Sequence, residues 1–79
     1  MKMGSDQVKF NVVLQEFKPS GSIVRNVSLM KSNDKQRAIS HFNEKLAEMS
    51  YYIENNARLS VIEYDDDGGF KVIRETKGR

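Results

Sequence analysis

Cysteine and tryptophan are absent from this 79-residue chain, and histidine and proline occur once each. Without cysteine there is no disulfide framework, no thiolate metal ligand and no cysteine nucleophile. The longest unbroken apolar runs, at 12–14 and 51–53, fall far short of the roughly 18 residues that a membrane span needs. The amino terminus also lacks the hydrophobic stretch of a secretion signal. We therefore expect a cytoplasmic protein with no membrane association.

The composition that remains is that of an ordinary globular chain, with 38% hydrophobic and 30% charged residues. Because separate domains need about 50 residues each, we expect one small domain over 1–79, with flexible polar ends at 1–7 and 76–79. The net charge is +2. Residues 1–45 carry eight basic and four acidic side chains, whereas 46–79 carry five and seven, so the chain is mildly dipolar rather than uniformly basic.

Four segments alternate between apolar and polar residues with the period of two that is typical of a half-buried strand. They are Val8–Phe17, Ile23–Met30, Arg58–Tyr64 and Phe70–Glu75. Turn-forming residues separate the first two, as Pro19-Ser20-Gly21, and the last two, as an Asp-Asp-Asp-Gly-Gly run. The pattern predicts two antiparallel hairpins.

Between the hairpins, one apolar stripe recurs at helical spacing in a stretch free of glycine and proline. Its members are Ala38, Ile39, Phe42, Leu46, Met49 and Ile53. They occupy one face of a helix, which Asn33 and Gln36 would open as a capping box and Asn55-Asn56 would close. The spacing predicts one long amphipathic helix from Asp34 to about Asn56.

The predicted fold is α+β, a two-layer ββαββ arrangement in which a four-stranded, mainly antiparallel sheet carries the helix on one face. The alternation assigns one set of strand residues to the core. That set is Val8, Phe10, Val12, Leu14, Ile23, Val27, Leu29, Leu59, Val61, Phe70 and Val72.

One helix covers only one face of a sheet, so the other face stays open. The alternation places five apolar residues there, namely Val13, Val24, Ile62, Tyr64 and Ile73, with Phe17 and Met30 near strand ends. A set of this size on a small face is typical of an interaction site, although scattered apolar residues also occur on ordinary solvent faces. Tyr51 points away from the helical stripe and is a further contact candidate, since tyrosine is enriched at interfaces.

Catalytic and metal chemistry find little support. His41 lies on the polar side of the predicted helix, which favours a solvated side chain. The run Asp65-Asp66-Asp67 lacks the spacing of an EF-hand loop and is typical of an acidic hairpin turn. No nucleophile, base or phosphate-binding loop has the required context. We expect no enzymatic activity, no metal and no cofactor.

Two functions from different classes remain. The first is a binding protein that acts by protein–protein contact, with itself as a homodimer or with a partner, through the open face. The second is a nucleic-acid-binding module that uses a basic sheet face and the C-terminal tail. Its candidate residues are Lys9, Arg25, Lys31, Lys71 and Arg74, but no RNP-type motif or GXXG loop accompanies them.

The element order in so short a chain, without cysteine or catalytic motifs, resembles small accessory proteins with which phages and mobile elements bind and inhibit host factors. The resemblance is one of size and fold, and no individual residue carries it. It implies a viral or phage-type inhibitor that acts by protein contact.

Overall fold

Four strands and two helices make up residues 8–76, the part of the protein that the computed structural model describes. In chain order they are β1 (Phe10–Phe17), β2 (Ile23–Ser32), α1 (Lys35–Glu48), α2 (Ser50–Asn56), β3 (Ala57–Tyr64) and β4 (Phe70–Glu75). The strands form one antiparallel sheet in the order β2-β1-β3-β4. The α+β class and the four-stranded sheet are confirmed, and the element order is ββααββ. Of the ends expected to be flexible, 1–7 and 76–79, residues 1–7 and 77–79 lie outside the described residues. Thr76 is described, and it donates its N–H to Leu59 O and accepts from Leu59 N–H through its hydroxyl.

The expectation of one long helix is wrong, because the helix breaks at Met49. There the backbone leaves the helical region, with φ −117° and ψ 23°. The hydrogen bonds still continue across the break, since Met49 N–H donates to Lys45 O and Ile53 N–H donates to Met49 O. The two helices have different neighbours: α1 packs across β1, β2 and β3, whereas α2 packs on β3 and passes directly into that strand at Ala57.

The start of α1 also differs from the predicted capping box. Asp34, not Asn33, is the N-cap, and its Oδ1 accepts hydrogen bonds from the N–H groups of Gln36 at 3.0 Å and Arg37 at 3.4 Å. The Oδ1 of Asn33 instead accepts from Lys9 N–H at 3.0 Å. Asp34 therefore satisfies early helical amides, and Asn33 joins the start of the helix to the start of β1.

The core lies between the helices and the two central strands. Its buried members are Phe10, Val12, Leu14, Ala38, Phe42, Ile53, Ala57, Leu59 and Val61. Val27, Leu29, Met30, Leu46, Met49 and Ile73 pack around them with part of their surface exposed. The predicted helical stripe is confirmed at Ala38, Phe42 and Ile53, each buried against the sheet.

Three residues expected in the core are exposed instead. Ile23 is 53% exposed, Phe70 63% and Val72 46%. Phe70 pairs with Tyr64, and Val72 pairs with Ile62. Directly opposed residues share a face of the sheet, so Phe70 and Val72 lie on the face away from the helices.

Three β-bulges explain why strict alternation misplaces other residues. Register shifts occur opposite Val12/Val13 and Glu16/Phe17 on β2, and opposite Val61/Ile62 on β4. A bulge inserts one residue, after which the alternation changes phase. Met30 and Ile73, expected on the open face, consequently pack against the core.

Candidate protein-binding surface

The face of the sheet away from the helices forms a shallow groove of about 330 Å³. All four strands contribute to its lining, which consists of Val13, Gln15, Asn26, Arg58, Ser60, Ile62, Phe70, Val72 and Glu75. The apolar members come from β1, β3 and β4 and form the floor and one wall. The polar members come from all four strands: Ser60 pairs with Val13, and Gln15, Asn26, Arg58 and Glu75 lie beyond it towards one end. We call this surface the open-face groove.

Exposure increases from the centre of the groove towards its β4 edge. Val13 and Ile62 lie on the central strands and are half-buried, whereas Phe70 and Val72 lie on the edge strand and are largely exposed. The apolar surface available to another molecule is therefore concentrated along β4.

A hydrogen-bonded chain of polar side chains crosses three strands beside the groove. Ser28 Oγ on β2 donates to Asn11 Oδ1 on β1 at 2.6 Å, and Asn11 Nδ2 donates to the Tyr64 hydroxyl on β3 at 3.1 Å. Asn11 is only 7% exposed, so both ends of its amide need partners. The chain satisfies this requirement and holds the ring of Tyr64 against the sheet.

Tyr64 in turn supports the aromatic end of the groove. Its ring packs edge-on against Phe70, with centroids 6.4 Å apart and planes at 70°, an arrangement that aromatic pairs favour. Asp65 secures the connecting turn, because its Oδ1 accepts from Asp67 N–H at 3.1 Å and from Gly69 N–H at 2.8 Å. The predicted acidic hairpin loop is confirmed.

The polar end of the groove carries both signs of charge. Arg58 Nε lies 3.8 Å from Glu75 Oε2, and the Arg58 guanidinium lies over the Phe17 ring at 5.4 Å from its centroid. Both charged side chains are more than one-third exposed. The polar end of the groove therefore carries one positive and one negative side chain, Arg58 and Glu75.

The structure brings together three of the six interface residues proposed from the sequence: Val13, Ile62 and Tyr64 share the open face. Ile73 packs against the core instead. Tyr51 is 78% exposed on α2, in the helical layer and away from the open face. Val24 is exposed near the start of β2, the strand furthest from β4.

Sequence reasoning missed Phe70 and Val72 as members of this surface, although a signal for them existed. The two strands of the second hairpin end at Tyr64 and resume at Phe70, so a symmetrical hairpin pairs these residues. Paired residues share a face. Assigning Tyr64 to the open face therefore required Phe70, and with it Val72, to lie there too.

A second polar cluster joins the first hairpin to α2. The Tyr52 hydroxyl donates to Glu16 Oε2 at 2.5 Å, and Arg25 Nε donates to Glu16 Oε1. These two hydrogen bonds hold the pKa of Glu16 below its ordinary value, while the Glu16 carboxylate raises the pKa values of Tyr52 and Arg25. The cluster lies on the helical side of the sheet and links α2, which packs on β3, to a side chain of β1.

The five nucleic-acid candidates do not converge on one surface. Arg25 and Lys31 belong to β2, whereas Lys71 and Arg74 belong to β4, and these strands are the two opposite edges of the sheet. Arg25 is also paired with Glu16. Lys9 and Lys71 line a small depression together with three acidic residues, Glu63, Asp65 and Asp66.

His41 is less solvated than the sequence indicates. Its side chain is 23% exposed, and its Nε2 is buried with no hydrogen-bond partner among residues 8–76. Its Nδ1 lies 3.8 Å from Glu44 Oε1, and the same described part of the chain contains no group of three side chains placed to hold a metal ion.

Comparisons with protein families, with curated proteins and with solved structures find no match to this chain. Within residues 8–76, neither helix has the length and apolar character needed to cross a membrane.

Proposed function

We propose that the protein is a small non-enzymatic binding protein that acts by protein–protein contact through the open-face groove. The observation that carries the proposal is the composition of the groove: Val13, Ile62, Phe70 and Val72 give it an apolar side, and Ser60, Gln15, Asn26, Arg58 and Glu75 line the rest. Protein interfaces combine apolar residues that a partner covers with polar residues beside them. The exposure of Phe70 at 63% supports it, since a large aromatic side chain gains most when a partner covers it.

The size of the face indicates a modest contact. Four strands at about 4.8 Å spacing and five or six residues at about 3.3 Å each give a face of roughly 400 Å². A standard interface buries about 800 Å² on each partner. The open face alone therefore supports a transient complex, and a tighter one needs a further contact next to it.

Substitutions at the centre of the groove test the proposal. We expect Ile62→Asp to abolish partner binding, because it places a charge where apolar surface is to be covered. Tyr51→Asp is the matched control, since Tyr51 is exposed on the helical layer. Circular dichroism establishes that both variants fold, and quantitative affinity capture from cells that make the protein measures binding. A protein captured equally by the wild type and both variants contradicts the proposal.

Self-association is examined in the same experiments. The homodimer expected from the sequence stays a prediction, and light scattering during size-exclusion chromatography measures it directly. A dimer that Ile62→Asp dissociates and Tyr51→Asp preserves makes a second copy the occupant of the groove. Recording absorbance at 260 nm in the same run tests the nucleic-acid alternative, which requires co-purifying nucleic acid that salt removes.

A further inference from the structure

The outer edge of β4 has free backbone groups next to exposed apolar side chains. Tyr64 N–H donates to Lys9 O on the β1 side, whereas Asp65 N–H donates to Gly69 O and Thr76 N–H donates to Leu59 O across the β3–β4 pair. Backbone groups alternate in direction along a strand. The N–H and C=O groups of Phe70 and Val72 therefore point away from β3, into solvent.

The two sides of this edge differ in chemistry. Phe70 and Val72 project onto the open face. Lys71 pairs with Glu63 and Arg74 pairs with Val61 on β3. Glu63 and Val61 lie opposite the core residues Phe10 and Val12 of β1, so Lys71 and Arg74 project to the helical side of the sheet. The helices pack on the other strands, α1 on β1, β2 and β3 and α2 on β3. The two cations of β4 therefore lie beside the helical layer. No ion pair joins either cation to an acidic side chain within residues 8–76.

Charged residues and bulges can also protect edge strands from unwanted pairing, and β4 has both. The bulge of β4 lies at Ile73, which leaves the register regular from Phe70 to Val72. β2, the opposite edge, has two bulges, and its regular stretch from Arg25 to Ser28 is largely polar. Of the two edges, β4 is the one that combines a regular register with apolar side chains.

The cations determine which strands this edge accepts. Pairing β4 with its own copy brings Lys71 and Arg74 of one chain close to those of the other, and like charges on adjacent strands repel. An acidic strand is attracted by the same two residues. Glu63, Asp65 and Asp66 share a small depression with Lys71 and weaken the attraction there. Arg74 does not line that depression, so it contributes the larger share of the preference for an acidic strand.

We propose that β4 pairs with an extended segment of a partner protein in which apolar residues alternate with acidic residues. The segment adds a fifth strand to the sheet, with its apolar side chains beside Phe70 and Val72 and its carboxylates beside Lys71 and Arg74. This inference rests on the proposed protein-binding function and names the partner's chemistry. It also supplies the additional contact that the small open face requires.

A synthetic peptide, acetyl-Val-Glu-Val-Glu-Val-amide, is the probe, and its counterpart with lysine in place of glutamate is the control. We expect the glutamate peptide to shift the backbone amide resonances of Phe70 and Val72 in a nitrogen-15 NMR titration of the full chain. We expect the lysine peptide to bind at least about tenfold more weakly, as the loss of two attractive charge pairs and the gain of repulsion predict. Equal binding of the two peptides, binding of neither, or shifts confined to β2 overturns the inference.

Two variants separate backbone pairing from charge. Val72→Pro removes an N–H that points to solvent, which an edge strand tolerates, and is expected to abolish peptide binding. Val72→Thr keeps the N–H and a branched side chain, and is expected to retain binding. The double variant Lys71→Glu/Arg74→Glu is expected to reverse the preference in favour of the lysine peptide. Val72→Pro that folds and binds as well as Val72→Thr overturns the inference.

The proposed function and the edge inference can fail separately. If Ile62→Asp abolishes partner binding while Lys71→Glu/Arg74→Glu and Val72→Pro leave it unchanged, the open face binds a protein but the edge inference is wrong. If all of these variants bind the partner as the wild type does, the proposed function is wrong as well.

Discussion

Asn11 offers the sharpest test of how the open face is held together. It is the most deeply buried polar side chain on that face, at 7% exposed, and its amide links Ser28 to Tyr64. Replacing it with alanine removes both hydrogen bonds while leaving the strand pairing intact. The substitution is expected to lower the free energy of unfolding and to change the position of Tyr64.

The expected loss follows from what happens to the two partners. A neutral hydrogen bond contributes a net 0.5–1.5 kcal/mol on average, and a partner left buried and unpaired costs more, about 1–3 kcal/mol. Ser28 is exposed and Tyr64 is half-exposed, so water replaces the lost bonds and the larger cost does not arise. Two bonds at about 1 kcal/mol each give an expected loss of about 2 kcal/mol for Asn11→Ala, which lowers the melting temperature by roughly 10 °C in a domain of this size.

Urea unfolding of Asn11→Ala, Tyr64→Phe and the double variant measures both the loss and its source. We expect the two single substitutions to be coupled by about 1 kcal/mol, because they share one of the two bonds. The near-ultraviolet circular dichroism of the protein, to which Tyr64 contributes, should change in Asn11→Ala as well. A loss below about 0.5 kcal/mol refutes the reasoning, because the two bonds then contribute little to the folded state. Additive single effects refute it too, because the Asn11–Tyr64 bond then does not couple the two residues.

Three further outcomes are expected. The folded pKa of Glu16 lies below its ordinary 4.5. Ionised Glu16 therefore stabilises the fold above about pH 4.5, and this contribution is lost as the pH falls through the lowered folded value. A Glu16→Gln variant whose acid unfolding curve matches that of the wild type contradicts this. His41→Leu should raise the free energy of unfolding by about 1 kcal/mol, since it removes a buried nitrogen without a partner, and a less stable variant would show that the ring is needed for packing. Asp34→Ala should lower the same quantity by about 1 kcal/mol through loss of the N-cap, whereas Asn33→Ala, whose side chain does not cap α1, should leave the helical amides of Gln36 and Arg37 as protected from hydrogen exchange as in the wild type.

The class of fold and most of the core could be predicted from the sequence, because both depend on periodicity. The helical stripe places Ala38, Phe42 and Ile53 on one face whatever the sheet does, and the structure buries all three. The turns at Gly21 and Gly68 adopt positive φ of 98° and 92°, as their glycines indicate. These features are local, and local sequence is sufficient to specify them.

The break at Met49 could not be predicted from the local residue pattern. No glycine or proline interrupts the helical pattern there, and the stripe of apolar residues continues through it. The connection from α2 to β3 has no loop residues, so the last helical turns must lie over the start of β3 while α1 crosses three strands.

The composition of the open face depended on register, which involves residues far apart in sequence. Alternation correctly separates Phe70 and Val72 from Ile73, but it does not say which set faces the helices. The pairing of Phe70 with Tyr64 decides this. The large aromatic residue expected in the core therefore became the most exposed apolar side chain of the sheet, at 63%.

The bulge on β4 is what allows one short strand to present three different kinds of surface. In a regular strand, Ile73 facing the core would direct residue 74 to the open face. The inserted residue changes the phase, so Arg74 pairs with Val61 on the helical side while Ile73 also packs inward. Phe70 and Val72 then lie on the open face without a cation among them, and the positive charge collects on the opposite side. Bulges are common at sheet edges, where they redirect side chains; here one bulge separates the apolar from the basic side of the edge, and this separation is what makes an alternating apolar and acidic strand its complement.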